Sequence, residues 1–143
     1  MRGSTRQLGT SAGRAMGRGR PAGVLVVDDS PVFRTGMSRA VQAYDGLELV
    51  GEAEDGAGAL AAIADLEPDL VILDLRMPGI DGFGVLDELR SQDPSPACRV
   101  VVISATLEDG VEAEARAAGA DAVLSKALTR SDICTAALRL LER

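Results

Sequence analysis

Histidine is absent from the 143 residues of this chain, and several other residue types are scarce. Without an imidazole, the chain has no histidine acid–base catalyst, no histidine ligand for zinc, and no histidine that could donate a phosphoryl group. Its two cysteines, Cys98 and Cys134, are too few for a disulfide framework or a thiolate metal cluster. We therefore expect a reducing compartment, the cytoplasm. Three aromatic residues are also too few to stack a series of nucleic-acid bases.

Long apolar segments are missing as well. No run approaches the roughly 20 residues of a membrane-spanning helix, and no stretch resembles a signal peptide, so we expect no membrane contact. Lysine occurs once, as Lys126, among 15 basic residues. Residues 1–20 hold five arginines and no acid, whereas the remaining chain holds ten basic and 22 acidic residues. We expect no direct nucleic-acid contact, because so acidic a body repels phosphates and attracts cations.

The chain divides into a tail and one domain. Residues 1–22 combine glycine, serine, threonine and arginine without apolar periodicity, which predicts a disordered tail. Residues 23–143 alternate strand-like and helix-like segments, and they are long enough to bury a single core.

The strand-like segments predict the fold class. Continuous apolar runs at 24–27, 70–73 and 100–103 are typical of strands buried on both faces of a parallel sheet. Residues 47–53 alternate apolar and polar side chains, as an edge strand does, and 122–124 form a short fifth strand. The alternation predicts an α/β domain, a doubly wound five-stranded parallel sheet of the flavodoxin-like (βα)5 type with strand order 2-1-3-4-5.

Local signals predict where the helices lie. Ser30-Pro31, Asp55-Gly56 and Thr129 are typical of helix starts. The predicted helices cover 31–43, 56–66, 82–90 and 108–118, with a fifth after Thr129, and residues 91–96 are predicted to be a loop. The fourth helix contains little besides alanine and glutamate, so we expect it to pack weakly and to be among the more mobile elements.

Reactive side chains follow four of the five predicted strands. They are Asp28 and Asp29, Asp74, Ser104 and Lys126. Each is common alone as a cap, a turn former or a solvated charge, but the carboxyl ends of adjacent parallel strands share one crevice. Three carboxylates about 5 Å apart would repel by about 3 kcal/mol per pair, and Mg²⁺ or Mn²⁺ would offset this repulsion. An aspartate nucleophile, a metal ion, a lysine and a hydroxyl favour phosphoryl transfer onto a carboxylate.

These residues resemble the receiver domain of two-component response regulators. The similar segments are Val-Val-Asp-Asp-Ser at 26–30, Asp-Leu-Arg-Met-Pro-Gly-Ile-Asp-Gly at 74–82, Ile-Ser-Ala at 103–105 and Ser-Lys at 125–126. The resemblance covers about residues 23–143. Segments 31–36 and 49–53 are most similar to the NarL/FixJ-type subgroup, whose output is a helix-turn-helix DNA-binding domain.

The resemblance implies a role for each residue. It implies that Asp74 accepts a phosphoryl group from a sensor histidine kinase, with Ser104 as the switch hydroxyl and Lys126 as the phosphate partner. The implied Mg²⁺ ligands are Asp28, mainly through water, Asp29, Asp74 and the backbone carbonyl of Arg76. The chain would then be a signalling switch that catalyses only its own phosphorylation and dephosphorylation. It would form a homodimer when phosphorylated.

Two positions depart from the family pattern. Val123 stands where a switch tyrosine or phenylalanine is usual, and Ala127 stands where proline often follows the lysine. The sequence therefore does not by itself predict hydroxyl–aromatic coupling, and a cis bond at Ala127 would lack proline's help.

Other readings of the sequence remain open. One is a receiver fragment of a helix-turn-helix regulator, which would not contact DNA by itself. A second is a haloacid-dehalogenase-like phosphatase, although that class needs an acid two residues after the nucleophile, where Arg76 stands. A third is a flavin carrier, although no glycine-rich phosphate loop follows the first strand.

Overall fold

Strands and helices alternate along the described residues, 20–92 and 98–142, of this computed structural model. In chain order they are β1 (Ala22–Val27), α1 (Pro31–Ala43), β2 (Leu47–Ala53), α2 (Gly56–Leu66), β3 (Leu70–Asp74), α3 (Gly82–Gln92), β4 (Arg99–Ser104), α4 (Val111–Ala117), β5 (Ala122–Ser125) and α5 (Arg130–Leu141). The strands are parallel and lie in the order β2-β1-β3-β4-β5. The predicted doubly wound sheet and its strand order are confirmed.

Each face of the sheet carries its own buried core. The continuous apolar runs alternate between the two faces, because successive side chains of a strand point in opposite directions. One core joins β1, β3 and β4 to α1 and α5, and it includes Val26, Ile72, Ile103, Met37 and Ile133. The other joins the same strands to α2, α3 and α4, and it includes Val27, Leu73, Val102, Ala59 and Leu86. The absence of alternation in these runs therefore reflects burial on both sides.

The helix starts follow the predicted capping residues. Ser30 Oγ accepts a hydrogen bond from the Phe33 amide at 3.3 Å, and Pro31 is the first residue of α1. Asp55 accepts from the Gly58 amide at 2.7 Å, and Thr129 accepts from the Asp132 amide at 3.0 Å. Each side chain satisfies one of the amides that a helix leaves unpaired at its first turn.

Two helix boundaries differ from the prediction by two or three residues. α3 continues through Gln92 rather than ending at Arg90, so the predicted loop loses its first two residues to the helix. Residues 93–97 lie outside the described residues. α4 begins at Val111 rather than Glu108, because Gly110 has a left-handed φ of 86° and makes no side-chain cap. Composition favours a helix at 108–110, but the backbone conformation of Gly110 interrupts it.

At the amino-terminal end, β1 begins at Ala22, and residues 1–19 of the predicted tail lie outside the described residues. Within the described part of the chain, every helix is too short or too polar to span a bilayer.

Two glycines let the segment after β3 fold back against the sheet. A Cβ atom at Gly56, in the first turn of α2, would overlap the carbonyl oxygen of Ile80. A Cβ atom at Gly82 would lie 2.6 Å from the carbonyl oxygen of Asp74. The segment between Asp74 and α3 is therefore held between the end of its own strand and the start of α2.

Candidate functional site

The predicted site residues meet at the carboxyl edge of the sheet. Asp28 directly follows β1, Asp74 and Ser104 end β3 and β4, and Lys126 directly follows β5. Backbone hydrogen bonds extend the ladders to these positions, with Asp28 N donating to Ala53 O at 3.1 Å and Lys126 N to Ser104 O at 2.9 Å. Because the neighbouring strands are parallel and in register, their last residues are brought together.

Three carboxylates form the acidic part of the site. Asp28 is fully buried, Asp74 is 4% exposed, and Asp29 is exposed. One oxygen from each of the three lies within 4.8 Å of the others. A set made only of oxygen donors fits a hard divalent cation, which prefers carboxylate, carbonyl and water ligands. The predicted acidic cluster therefore exists as a geometric unit.

The single lysine of the chain neutralises part of this charge. Lys126 Nζ lies 2.8 Å from Asp28 Oδ2 and 3.6 Å from Asp74 Oδ1. The second oxygen of Asp28 accepts a hydrogen bond from the Ser30 amide at 2.8 Å. Asp28 is thus held on both oxygens. Among residues 20–92 and 98–142, Asp74 has only the longer lysine contact and a 3.4 Å contact from the Arg76 amide. Asp74 is therefore the less restrained of the two buried acids.

The ionisation of Asp74 reflects this environment. Burial raises the pKa of Asp74 to about 6, and the negative charge of Asp28, with a smaller effect of Asp29, adds to the shift. The Lys126 ammonium and the Arg76 amide oppose this change, but they do not cancel it. The Asp74 carboxylate is charged at neutral pH, but its charged form is less stable than that of an exposed aspartate.

The Ser104 hydroxyl, at the end of β4, lies on the strand next to Asp74. Ser104 Oγ donates to the carbonyl oxygen of Thr106 at 2.6 Å, and it accepts from the Thr106 amide at 3.3 Å. Both residues line a cavity of about 560 Å³ together with Asp29, Arg76, Met77 and Phe83. The hydroxyl therefore forms hydrogen bonds within its own loop, at the wall of this cavity.

The structure describes both positions that depart from the family pattern, Val123 and Ala127. Val123 is 8% exposed and packs in the core beneath α3 and α4. The peptide bond between Lys126 and Ala127 is trans. With this trans peptide bond, the Lys126 ammonium contacts both buried acids, Asp28 and Asp74.

Sequence reasoning assigned no role to two residues in the first turn of α1. The Lys126 ammonium lies 4.6 Å from the centre of the Phe33 ring, on which the guanidinium of Arg130 also lies. Arg34 donates from Nη1 to the carbonyl oxygen of Asp28 at 2.7 Å. The only signal for either residue was its position one helical turn after the acidic pair, which by itself does not show where a long side chain points.

Comparison with known proteins agrees with this arrangement. The response regulator receiver domain family matches residues 24–138. The signal receiver domain of the response regulator NarL from Mycobacterium tuberculosis has a TM-score of 0.80 at 40% identity, covering 85% of this chain and 97% of that one.

Two curated relatives are longer than this chain. The nitrate/nitrite response regulator protein NarL of Escherichia coli (strain K12) is 37% identical over 121 residues, which are 85% of this chain and 55% of NarL. Protein-glutamate methylesterase/protein-glutamine glutaminase 5 of Myxococcus xanthus is 48% identical over 89 residues, which are 62% of this chain and 25% of that protein. The chain thus spans about half of one relative and a quarter of the other.

The raised pKa of Asp74 predicts how replacement by asparagine changes stability with pH. Below about pH 4 both the folded and the unfolded chain carry the neutral acid, so wild type and Asp74→Asn should melt alike. As pH rises the unfolded chain ionises first, and above the folded pKa of about 6 wild type carries the full penalty. A shift of this size corresponds to about 3 kcal/mol. Without metal at pH 8, Asp74→Asn should melt roughly 5–10 °C above wild type.

The measurement is a set of melting curves in EDTA between pH 4 and pH 8. An Asp74→Asn protein that melts below wild type at pH 8 would show that the three acids do not strain one another.

About 10 mM Mg²⁺ should raise the wild-type melting midpoint, because binding with a Kd near 1 mM would stabilise the folded state by about 1.4 kcal/mol. Asp29→Ala should lose most of that gain.

Proposed function

The chain belongs to the response regulator receiver domain family, whose members are phosphoacceptor signalling switches, and we propose that its phosphoacceptor is Asp74. The observation that carries this proposal is the position of Asp74, a buried carboxylate at a strand end with Lys126 Nζ 3.6 Å away. Its carboxylate is the less restrained of the two buried acids. Residues around it in the site, including Leu75 and Ser104, line a cavity. These are the features that a nucleophilic carboxylate needs.

The proposed donor is the phosphohistidine of a sensor kinase. One oxygen of Asp74 forms a bond to phosphorus while the bond between phosphorus and the imidazole nitrogen breaks, and the leaving imidazole keeps that electron pair. Lys126 reduces the repulsion between the incoming phosphoryl oxygens and the site. Since the nucleophile is the ionised form, phosphorylation should weaken at low pH, and a bound cation, which favours the ionised carboxylate, should move this loss below the metal-free Asp74 pKa of about 6.

The proposed cofactor is Mg²⁺, with Mn²⁺ as an alternative. Its ligands would be Asp29, Asp74 and the backbone carbonyl of Arg76, with Asp28 acting mainly through water. Bound there, the ion would supply positive charge for the phosphoryl oxygens. The support for this proposal is that one lysine faces three carboxylates, which leaves the site with excess negative charge.

Exposed apolar side chains support a protein partner at this edge. Large apolar residues with substantial exposure in the described part of the chain are Val32, Leu66, Ile80, Leu107 and Leu128. All except Leu66 lie in or beside the loops that surround Asp74, and Val32 is 78% exposed. Such residues around a reactive group favour docking of another protein. We propose that this partner is the sensor histidine kinase.

The same similarities support proposals about context. The match to NarL covers more of the chain than the match to the methylesterase, so we propose a response regulator of the NarL type rather than a methylesterase as the protein's context. The buried free thiols Cys98 and Cys134 fit a reducing compartment, so we propose a cytoplasmic location. An aspartate-nucleophile phosphatase lacks support, because Arg76 occupies the position of its general acid.

Acetyl phosphate tests the acceptor. With Mg²⁺, wild type should gain a labile adduct of about 80 Da by intact mass. Asp74→Asn should gain none, because the amide is not a nucleophile here. The matched control is Asp81→Asn, which removes an exposed acid of the same cavity and should still be labelled. Equal labelling of Asp74→Asn and wild type would place the acceptor elsewhere.

Replacement of Lys126 distinguishes acceptance of the phosphoryl group from the conformational response to it. Lys126→Ala should accept the phosphoryl group more slowly, because the pKa of Asp74 rises when the ammonium is removed. It should also fail to transmit the change to Ser104 and α4. The measurements are adduct mass and amide chemical shifts, taken on the same sample. A wild-type pattern of shifts in phosphorylated Lys126→Ala would remove the lysine from the mechanism.

Phosphorylation should also promote a homodimer, by analogy with the family. Light scattering with and without beryllofluoride, a phosphoryl mimic, measures this directly. A mass that stays at one chain with saturating beryllofluoride would contradict the expectation.

A further inference from the structure

Arg34 connects the acidic turn to the neighbouring strand. Its Nη1 donates to the backbone carbonyl of Asp28 at 2.7 Å, and its Nε lies 3.3 Å from Glu52 Oε1 at the end of β2. The Arg34 side chain is 18% exposed, so the guanidinium is largely enclosed between α1 and β2. Two different nitrogens of one planar group thus hold two partners in a fixed relative geometry.

The carbonyl that Arg34 binds belongs to the peptide between Asp28 and Asp29. This peptide lies past the end of the ladder, because the last paired residues of β1 and β2 are Val27 and Ala53. In the part of the chain that the structure describes, no strand donates to this carbonyl, and the charged Arg34 side chain donates instead. A hydrogen bond from a charged donor is stronger than one between neutral groups.

The position of Asp29 depends on this peptide. Asp28 is fixed through its side chain by Lys126 and by the Ser30 amide. The Asp29 carboxylate is exposed, and within residues 20–92 and 98–142 it has no hydrogen-bond or ion-pair partner of its own. What places its oxygen near Asp74 is therefore its backbone, and the peptide before it is the one that Arg34 holds.

We propose that Arg34 is a positioning residue for cation binding. By restraining the peptide between Asp28 and Asp29, it keeps the Asp29 carboxylate directed toward Asp74 before a divalent cation arrives. Glu52 in turn keeps the guanidinium in place. The inference rests on the proposed function, and it adds a residue that touches neither the cation nor the phosphoryl group.

The magnitude follows from the behaviour of residues that orient metal ligands. Loss of such a partner typically weakens metal affinity by about 10-fold to 100-fold. We expect Arg34→Met to weaken Mg²⁺ binding at least about 10-fold. Arg34→Lys should lie between Arg34→Met and wild type, because one ammonium cannot reproduce the two-sided contact. Glu52→Gln should have a smaller effect, since an amide oxygen can still accept from Nε.

The matched control is another arginine–glutamate pair away from the acids. On α4, Arg116 Nε lies 3.1 Å from Glu112 Oε2, and both side chains are at least half exposed. Arg116→Met removes the same kind of side chain and the same kind of ion pair. It should leave the Mg²⁺ dissociation constant within about twofold of wild type, because exposed pairs of this type contribute little.

The experiment measures Mg²⁺ affinity by calorimetry and by amide chemical shifts near Asp74, alongside urea unfolding of each variant. The rate of phosphorylation by acetyl phosphate is then followed as Mg²⁺ is raised. For Arg34→Met we expect a higher half-saturating Mg²⁺ concentration and a maximal rate close to wild type. A residue with only a structural role would change the unfolding curve and leave the half-saturating concentration unchanged.

The results distinguish a failure of the proposed function from a failure of the proposed role of Arg34. If wild type neither binds Mg²⁺ nor accepts a phosphoryl group, the proposed function itself fails. If wild type does both, and Arg34→Met binds Mg²⁺ within twofold of wild type, only the role of Arg34 is overturned. Should Arg34→Met fail to fold, Arg34→Lys decides the matter, and an affinity within twofold of wild type again overturns the proposal.

Discussion

The contact between the Lys126 ammonium and the buried carboxylates is the interaction on which the site depends. Asp28 has no exposed surface, and its charge is compensated by Lys126 Nζ at 2.8 Å, with a hydrogen bond from the Ser30 amide to the other oxygen. Removing one partner of a buried ion pair typically costs about 3–5 kcal/mol, because the remaining charge is left without compensation. The contact also joins β1 to β5 across three intervening strand interfaces, and it places an ammonium beside Asp74.

The charge balance at this edge explains how the protein can be switched. Burial and the neighbouring carboxylates raise the pKa of Asp74. Because one ammonium faces three carboxylates, the site favours further positive charge. Under the proposed function, a phosphoryl group on Asp74 would change the balance again, at the place where the loops after β4 and β5 begin. The hydroxyl of Ser104 is bonded to its own loop in this structure, and a new acceptor on Asp74 would compete for it. The same receiver unit occurs in relatives with unrelated outputs, which fits a site that is self-contained.

The sequence predicted those parts of the fold best whose signals act over only a few residues. The caps at Ser30, Asp55 and Thr129 act within three residues, and α1, α2 and α5 begin where they predicted. The strand order followed from burial, because only 47–53 alternates and only an edge strand has a polar face. α4 was predicted three residues too early, since its acidic and alanine-rich composition does not report the left-handed backbone of Gly110. Composition averages over a segment, whereas the φ angle of a single residue can set where a helix begins.

The sequence by itself determined the sheet, the strand order and the residues that stand at each strand end, because these follow from period, capping and the geometry of parallel strands. It thereby predicted that three acids, a hydroxyl and the only lysine would meet. The tertiary structure alone decided which acid the lysine binds most closely, how far burial raises the pKa of Asp74, and that Arg34 holds the peptide before Asp29. These features depend on distances between side chains from different elements and on exclusion of water. Neither quantity is encoded in any local stretch of the chain.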